Sequence, residues 1–439
     1  MKINIPESEQ QRIVIVGGGF AGITLALKLA KSNFQVVLID KNNYHQFQPL
    51  FYQVAMAGLE PSSIVFPFRK LFHKYKNVYI RVTEVTGVDP EKKQLQTPLG
   101  IVNYDHLVIA TGVDTNYYGN EKLARLAIPM KSVSEALYLR NKILSDLEKA
   151  LVTTDYEERQ GFIDIVVVGG GPTGVEVTGA LAEMKKYILP KDYPELNTKE
   201  IDIYLIQSAP QLLKGMSEEA SNKSLEFLTR LGVKVKLNTR VTDYDGQIVT
   251  MNDGTCIQAG KVIWAAGITG LIFPGLPDSC ITYGNRLKVD RQCRVEGVDN
   301  IFALGDIAYM EEEAYAKGHP QVAQVAMQQA KFLARFLKNK PKGKAEEKFT
   351  YKDLGSMATI GRHLAVVDLP RWKFQGAFAW LVWLFVHLFQ ILGVKNRVFI
   401  LLNWVWNYVT YDQSLRLIIR PHIPKNAAEK VEMTDKTKE

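Results

Sequence analysis

Two short glycine clusters carry the plainest chemistry in this chain. Gly17, Gly18, Gly19, Phe20, Ala21, Gly22 places glycine where a backbone must turn tightly and approach a ligand closely, and Asp40 follows 23 positions after Gly17. A carboxylate at that distance can accept hydrogen bonds from a ribose diol while the helix opening at the glycines faces a pyrophosphate. The pattern recurs as Gly169, Gly170, Gly171, Pro172, Thr173, Gly174, Val175, Glu176. Two dinucleotide turns on one chain imply electron transfer between their ligands. Glu176 itself is expected in the first turn of its helix, where the helix dipole favours negative charge. Gln324 and Gln328 are four apart and share a helix face; on residue type alone they read as a polar stripe making routine hydrogen bonds. The three cysteines, Cys256, Cys280 and Cys293, form no CxxC pair and have no histidine at ligand spacing. That argues against a disulfide framework, a metal site and a dithiol electron relay.

The elements that must position these residues are legible around them. Ile13 to Val16 is a β-branched run of the kind buried in a parallel sheet, the stretch Ala21 to Lys31 is helical, and Gln35 to Ile39 is a second strand that ends in Asp40. Ile163 to Val168 leads in the same way into the second glycine turn. Leu107, Val108, Ile109 runs into Ala110, Thr111, Gly112, and Lys261 to Ile263 runs into Trp264 to Ile268; both read as crossings between domains. Ile301 to Leu304 ends in Gly305 and Asp306, an acid beside a glycine.

A length of 439 residues suggests two or three domains, and 46% hydrophobic with 23% charged residues fits a chain that folds mostly in water. The polar start, Met1 to Arg12, shows no signal peptide, so the globular part is expected in the cytoplasm. The net charge of +8 acquires meaning from its location. Between Arg362 and Lys425 there are eight Lys or Arg and two Asp, a local +6. Here Ala377 to Val394 is strongly apolar with Trp380, Trp383, Phe385 and Phe389, yet falls just short of a spanning length. Val398 to Tyr411 is shorter, with Asn403, Asn407, Thr410 and Ser414 at helical spacing. Flanking Arg371, Lys373, Lys395, Arg397, Arg416 and Arg420 complete a pattern of helices attached to an anionic membrane surface rather than to nucleic acid. A core or dimer interface is the competing reading for these helices.

Together the two glycine turns and the late Gly305–Asp306 resemble the two-dinucleotide-binding flavoprotein reductases. By that resemblance Gly17, Gly19, Gly22, Asp40 and Asp306, with Ala110, Thr111 and Gly112, contact FAD, and Gly169, Gly171 and Gly174 contact a nicotinamide dinucleotide. The segments Tyr44 to Ala55, Ala110 to Gly119 and Ala323 to Gln328 look like type II NADH:quinone oxidoreductase. The resemblance implies a quinone pocket lined by Gln324 and Gln328, a basic residue, Lys395, near its entrance, and Glu176 near the flavin as an orienting or proton-relaying group. Gln207 stands where the second unit should face the adenosine ribose; lacking a carboxylate, and with no Arg in Gln207 to Pro210, it favours NADH with tolerance of NADPH.

The expected fold class is α/β: two Rossmann-like dinucleotide-binding domains plus a C-terminal amphipathic-helix membrane-anchoring region. The expected division is residues 1–114 and 269–345 for the two parts of the FAD-binding domain, 115–268 for the NAD(P)H-binding domain, and 346–439 for the anchor. The implied function is oxidation of NADH and two-electron reduction of a membrane quinone through FAD, without proton pumping, by a monotopic protein on the cytoplasmic face of the cell membrane. A homodimer is left open. The alternatives are an enzyme like sulfide:quinone oxidoreductase, which needs a reactive cysteine pair, and a membrane-bound nicotinamide sensor in which the flavin is structural.

Overall fold

The computed structural model describes residues 3–339, 347–410 and 415–419. Its first sheet is parallel, with strands in the spatial order Ile301–Ala303, His106–Ile109, Arg12–Val16, Gln35–Asp40, Val78–Val82. The second has the order Ile128–Pro129, Val262–Trp264, Ile165–Val168, Ile203–Ile206, Lys234–Lys236, again all parallel. Such sheets are covered on both faces, which is why their inner strands are apolar, β-branched runs, whereas the edge strands Val78–Val82 and Lys234–Lys236 carry charged residues. The strand Ile165–Val168 is buried at every position.

Register gathers the chemistry. Val16 pairs with Ile39 and with Ile109, and Ile109 pairs with Ala303. Gly17, Asp40 and Ala110, each next after its paired residue or at its strand's end, therefore meet at the carboxyl edge of the sheet, where open α/β sheets bind ligands. Val168 pairs with Ile206 and Trp264, so Gly169, Gln207 and Ala265 meet at the corresponding edge of the second sheet. The segments that follow the two expected crossings pair with each other: Val113–Thr115 and Ile268–Gly270 form an antiparallel ribbon.

Seven helices matter for the site: α1, Phe20–Leu29; α2, Phe51–Ala55; α3, Val133–Val152; α4, Pro172–Glu183, continued by a π-helical turn at Met184–Ile188; α5, Ala323–Asn339; α6, Ala377–Gln390; and α7, Val394–Thr410. Glu176 lies in the second turn of α4, and the first turn holds no acid. The helix dipole is thus not the reason for this residue, contrary to the expectation from sequence.

A three-stranded antiparallel meander, Ser356–Gly361, Leu364–Asp368 and Lys373–Gln375, carries the chain from α5 to α6. The apolar stretch expected to run from Ala377 to Val394 is divided: α6 ends at Gln390, Gly393 turns with φ +84°, and α7 begins at Val394 rather than Val398. Glycine is needed at this turn, because a Cβ there would lie 2.4 Å from the Phe66 ring. Among the described residues no helix is long and apolar enough to cross a membrane. Ser414, Arg420 and Lys425 of the C-terminal pattern lie outside the described residues.

Candidate functional site

The two glycine cradles are built alike. Gly17 has φ +102°, and a Cβ on it would lie 2.2 Å from the Ala110 oxygen; Gly169 has φ +111°, and its Cβ would lie 2.6 Å from Ala265. Gly22 and Gly174 let their helices close on the preceding turn, since a Cβ on either would come within 1.8 Å of a glycine oxygen. Gly19 and Gly171 differ from these, each facing open space beside the first turn of α1 or α4. Amides around such a space can hold a pyrophosphate, and only a residue without a side chain leaves the approach clear.

Asp40 closes the first cradle. Its carboxylate accepts from Gly18 N at 2.6 Å and Asn42 N at 2.7 Å, while burial raises its pKa against the pull of those two amides. Gln207 does the same work in the second cradle, accepting from Gly170 N at 2.9 Å. Thr111 ties the crossing to the opposite ribbon through Leu271 O at 2.7 Å, and Gly112 has φ +71° with open space beside it. At the far strand end, burial pushes the Asp306 carboxyl up, with Lys131 and Arg286 as its balancing cations. No described protein group donates a hydrogen bond to this carboxylate. Buried carboxylates are normally hydrogen-bonded, so Asp306 has acceptor capacity for a polar ligand in the first cradle. The open space at Gly19 and Gly112 and this carboxylate fit an FAD. Sequence reasoning missed Lys131 and Arg286, which carry no motif.

A cavity of about 150 Å³ lies where α2, α4, the meander and the two C-terminal helices meet. Gly179 makes this approach possible: a Cβ there would lie 1.7 Å from Ile360 O, so α4 packs directly on the strand Ser356–Gly361. Glu176 and Glu183 flank that contact, seven residues apart on one helix face, and both line the cavity. Each keeps some surface, but that surface is the cavity wall. Burial pushes Glu176 up to about 8, opposed only by the Thr359 backbone and the Trp383 indole. That indole faces the carboxyl without forming a well-aligned hydrogen bond. Burial pushes Glu183 up to about 7, opposed by the Arg362 amide, which donates to it at 2.5 Å, and by the charges of Arg362 and Lys186. A chain of hydrogen bonds fixes the opposite wall: Trp404 Nε1 donates to Gln53 Oε1 at 2.7 Å, and Gln53 Nε2 donates to Tyr52 Oη at 2.8 Å. Asn407 Nδ2 donates to Gly58 O at 3.1 Å.

The structure places Gln324 and Gln328 against the segment 352–355. Gln324 donates to Gly355 O at 2.9 Å and accepts from Leu354 N; Gln328 donates to Lys352 O at 2.8 Å and accepts from Lys352 N. Both amides are engaged by the backbone of 352–355, as the residues alone suggested, and neither lines the cavity. Lys395 is exposed over the Phe399 ring, 5.4 Å from its centroid, and is also absent from the cavity wall. Glu183 was not singled out from sequence, and Tyr52, Gln53 and Trp383 stood only within a resembling segment and an apolar helix, not as cavity residues. The i,i+7 relation of the two glutamates was the one available signal.

The C-terminal helices are amphipathic with the sides reversed. On α7, Ile400 is buried and Trp404 and Asn407 bond to the body of the protein, whereas Val398, Phe399, Leu401, Leu402, Val405, Trp406 and Val409 are exposed. On α6, Ala379 and Trp383 are buried while Phe378, Leu381, Phe385 and Phe389 face outward. Of the polar residues at helical spacing, Asn407 meets the protein, donating to Gly58 O. Continuous outward apolar faces of this kind mark a surface that meets lipid or another protein.

All three cysteines are free, Cys256 exposed and Cys280 and Cys293 buried, and burial raises both buried thiols. Among the described residues no group of His, Cys, Asp and Glu could hold a metal ion.

The model of the pyridine nucleotide-disulphide oxidoreductase family matches residues 11–330, and that of the NDH2 C-terminal domain matches 354–410. The chain is 35% identical to the type II NADH:quinone oxidoreductase NdhA of Mycobacterium tuberculosis, over 90% of this chain and 86% of that protein. It is 34% identical to the type II NADH:quinone oxidoreductase Ndh of the same organism, over 91% and 89%. In fold it is similar to NDH2 from Plasmodium falciparum in complex with NADH, with a TM-score of 0.85, 24% identity and coverage of 94% of this chain and 100% of that one.

Proposed function

The chain belongs to the type II NADH:quinone oxidoreductases, and from that premise we propose that it takes hydride from NADH at the second cradle and delivers two electrons to a quinone whose head group enters the cavity beside Glu176. The overall activity, NADH oxidation with quinone reduction through FAD and without proton pumping, is that of the family. The FAD held by the first cradle would supply the redox chemistry that links hydride transfer from the nicotinamide to two-electron reduction of the quinone. The chain's own residues hold, orient and protonate. Gly17, Gly19, Gly22, Asp40, Ala110, Thr111, Gly112 and Asp306 form the FAD cradle. Gly169, Gly171, Gly174 and Gln207 form the nicotinamide cradle. Glu176, protonated at neutral pH because burial opposes its charge, supplies a proton to the quinone oxygen. Gln324 and Gln328 act by pinning 352–355, the segment leading into the strand whose Thr359 backbone faces Glu176.

The observation that carries the quinone site is its position, a cavity with Glu176 in its wall, lined by Trp383 and Trp404 and lying beneath helices with outward apolar faces. A hydrophobic quinone dissolved in a bilayer could reach it without crossing water. We read α6 and α7 as monotopic anchors on the cytoplasmic face of the cell membrane, with Lys373, Lys395 and Arg397 near anionic headgroups. Each large apolar side chain transferred from water contributes about 1.5–3 kcal/mol and each basic residue near an anionic surface about 1 kcal/mol. Homodimerisation through the same faces is the competing arrangement, and sedimentation of the purified protein with and without liposomes separates the two. The function is tested by anaerobic mixing with NADH followed by quinone: flavin absorbance should bleach on NADH and return on a menaquinone or ubiquinone analogue. A flavin that bleaches but is not reoxidised by either analogue would defeat the reading. Sulfide in place of NADH should not bleach it.

A further inference from the structure

Quinone reduction by NADH has a fixed proton balance. NADH gives up a hydride, two electrons with one proton, and the quinone gains two electrons and two protons on becoming quinol. One proton per turnover must therefore come from solvent, and it must reach a carboxyl, Glu176, that the protein encloses.

The cavity supplies a route. Glu183 is on the same face of α4 as Glu176, two turns on, and at the start of the π-helical turn Met184–Ile188. Such π turns recur at functional positions. Tyr52 lies within the field of both carboxylates, with its hydroxyl oxygen already accepting from Gln53 and its own proton still to donate. Charged and titratable neighbours reach this space from four of the elements around it, Tyr52 from α2, Lys186 and Tyr187 from the π turn, Arg362 from the meander and Tyr408 from α7, while α6 presents only Trp380, Trp383 and Leu384. The cations, Arg362 and Lys186, act on Glu183 rather than Glu176. Tyr408, 44% exposed, lines the cavity and lies under the Arg362 guanidinium at 4.0 Å, which marks this end as the mouth. A volume of about 150 Å³ holds several waters when a water needs about 10–15 Å³. The backbone is shaped around Glu183 as well: a Cβ on Gly361 would come 2.9 Å from its Oε1.

Resting on the proposed quinone reduction, we infer that Glu183 is a proton-relay residue acting through Glu176: it takes a proton from solvent at the Arg362 end of the cavity and passes it, by way of the Tyr52 hydroxyl or cavity water, to refill Glu176 after each quinol is formed. Glu183 does not touch the quinone. Its ordinary structural role, accepting the Arg362 amide, can be kept while the proton is removed, because glutamine retains the accepting oxygen.

The test compares full-length wild type, Glu183→Gln and Glu183→Asp, each with its flavin and in lipid, by anaerobic stopped-flow between pH 5.5 and 9 in H₂O and D₂O. For Glu183→Gln, flavin reduction by NADH should be unchanged, and quinone-driven reoxidation should slow by about tenfold or more, general acid–base steps being worth about 10²–10⁴. Its solvent isotope effect should rise and the wild-type pH dependence near neutrality should flatten. Glu183→Asp should recover most of the rate, and ferricyanide, which takes electrons without protons, should be reduced at the wild-type rate by both. Wild-type reoxidation rate, pH profile and isotope effect in Glu183→Gln would overturn the relay alone. Equal losses toward quinone and ferricyanide in both variants would also overturn it, in favour of a structural role. Wild type that reduces ferricyanide but no quinone would overturn the underlying functional reading instead.

Discussion

Gln207 accepts a hydrogen bond from Gly170 N at 2.9 Å, the counterpart of the bond between Asp40 and Gly18 N in the first cradle. An amide thus does the structural work of a carboxylate without its charge. Gln207→Glu should keep the bond and place a negative charge where the 2′-phosphate of NADPH would lie. The kcat/KM for NADPH relative to NADH should fall by about tenfold, the equivalent of about 1.4 kcal/mol. An unchanged ratio in steady-state assays would remove Gln207 from the ribose site.

Asp40 satisfies two backbone amides at once, so Asp40→Ala leaves Gly18 N and Asn42 N without their acceptor. Unmade hydrogen bonds of this kind cost about 1–3 kcal/mol each. The variant should fold but emerge from gel filtration with a flavin-to-protein absorbance ratio well below that of wild type. Asp306→Asn, which removes charge but keeps size, should lower occupancy less. Full occupancy in both would contradict the first cradle.

The cradles were legible because each depends on local sequence: β-branched strand, glycine turn and helix are contiguous, and register follows from the parallel pairing. The cavity was not. Its walls come from α2, α4, the meander and two C-terminal helices, and the residues that matter, Tyr52, Glu183 and Trp383, acquire meaning only when Gly179 lets α4 reach Ile360. Gln324 and Gln328 teach the converse. Spacing puts both on one helix face, but it does not say that the amides would also bond the backbone of 352–355.

Glu176 titrates near 8, above an unfolded value near 4.5, so the sign of its effect on stability is fixed. Its contribution is fully present below the unfolded pKa and is lost as pH rises through about 8, because the folded state then holds a buried charge. Glu183, near 7, adds to the same decline. Wild-type melting temperature should therefore fall between about pH 4.5 and 8 and level off above, and Glu176→Gln should flatten that fall. The same substitution should abolish the alkaline limb of quinone reduction and slow it by about 10²-fold while leaving flavin reduction by NADH intact. Parallel melting curves for the two proteins would refute the buried-acid assignment.

Away from the site, Lys261 and Asp146 form an ion pair of 3.2 Å with both side chains 1% exposed, and Lys142 adds a second cation at 2.6 Å. Lys261 precedes the strand Val262–Trp264 that feeds the second cradle. Breaking a buried pair leaves an uncompensated charge and costs about 3–5 kcal/mol. Asp146→Asn should lower the urea midpoint accordingly, whereas loss of the exposed pair Lys92–Asp89 should leave it nearly unchanged. Similar midpoints for Asp146→Asn and Asp89→Asn would show that the buried pair carries no special weight.

The reversed amphipathicity of α6 and α7 gives the sharpest test of membrane attachment, because the outward residues can be changed without touching the cavity. Phe385 is 63% and Leu402 59% exposed, and neither lines the cavity. Phe385→Asp with Leu402→Asp should leave folding, flavin content and ferricyanide reduction as in wild type. In the bilayer, however, each aspartate replaces a favourable apolar transfer of about 1.5–3 kcal/mol by an unfavourable charged one. The double variant should stay in the supernatant when liposomes containing anionic lipid are pelleted, and should lose reduction of long-tailed quinones more than of short-tailed analogues. High salt alone should not release the wild type, since screening removes only the electrostatic share contributed by residues such as Lys373, Lys395 and Arg397. If high salt strips the wild type completely, or the double variant still pellets with lipid, the apolar faces do not hold the protein on the membrane. A wild type that runs as a dimer in solution and becomes monomeric in the double variant would assign those faces to a second copy of the chain.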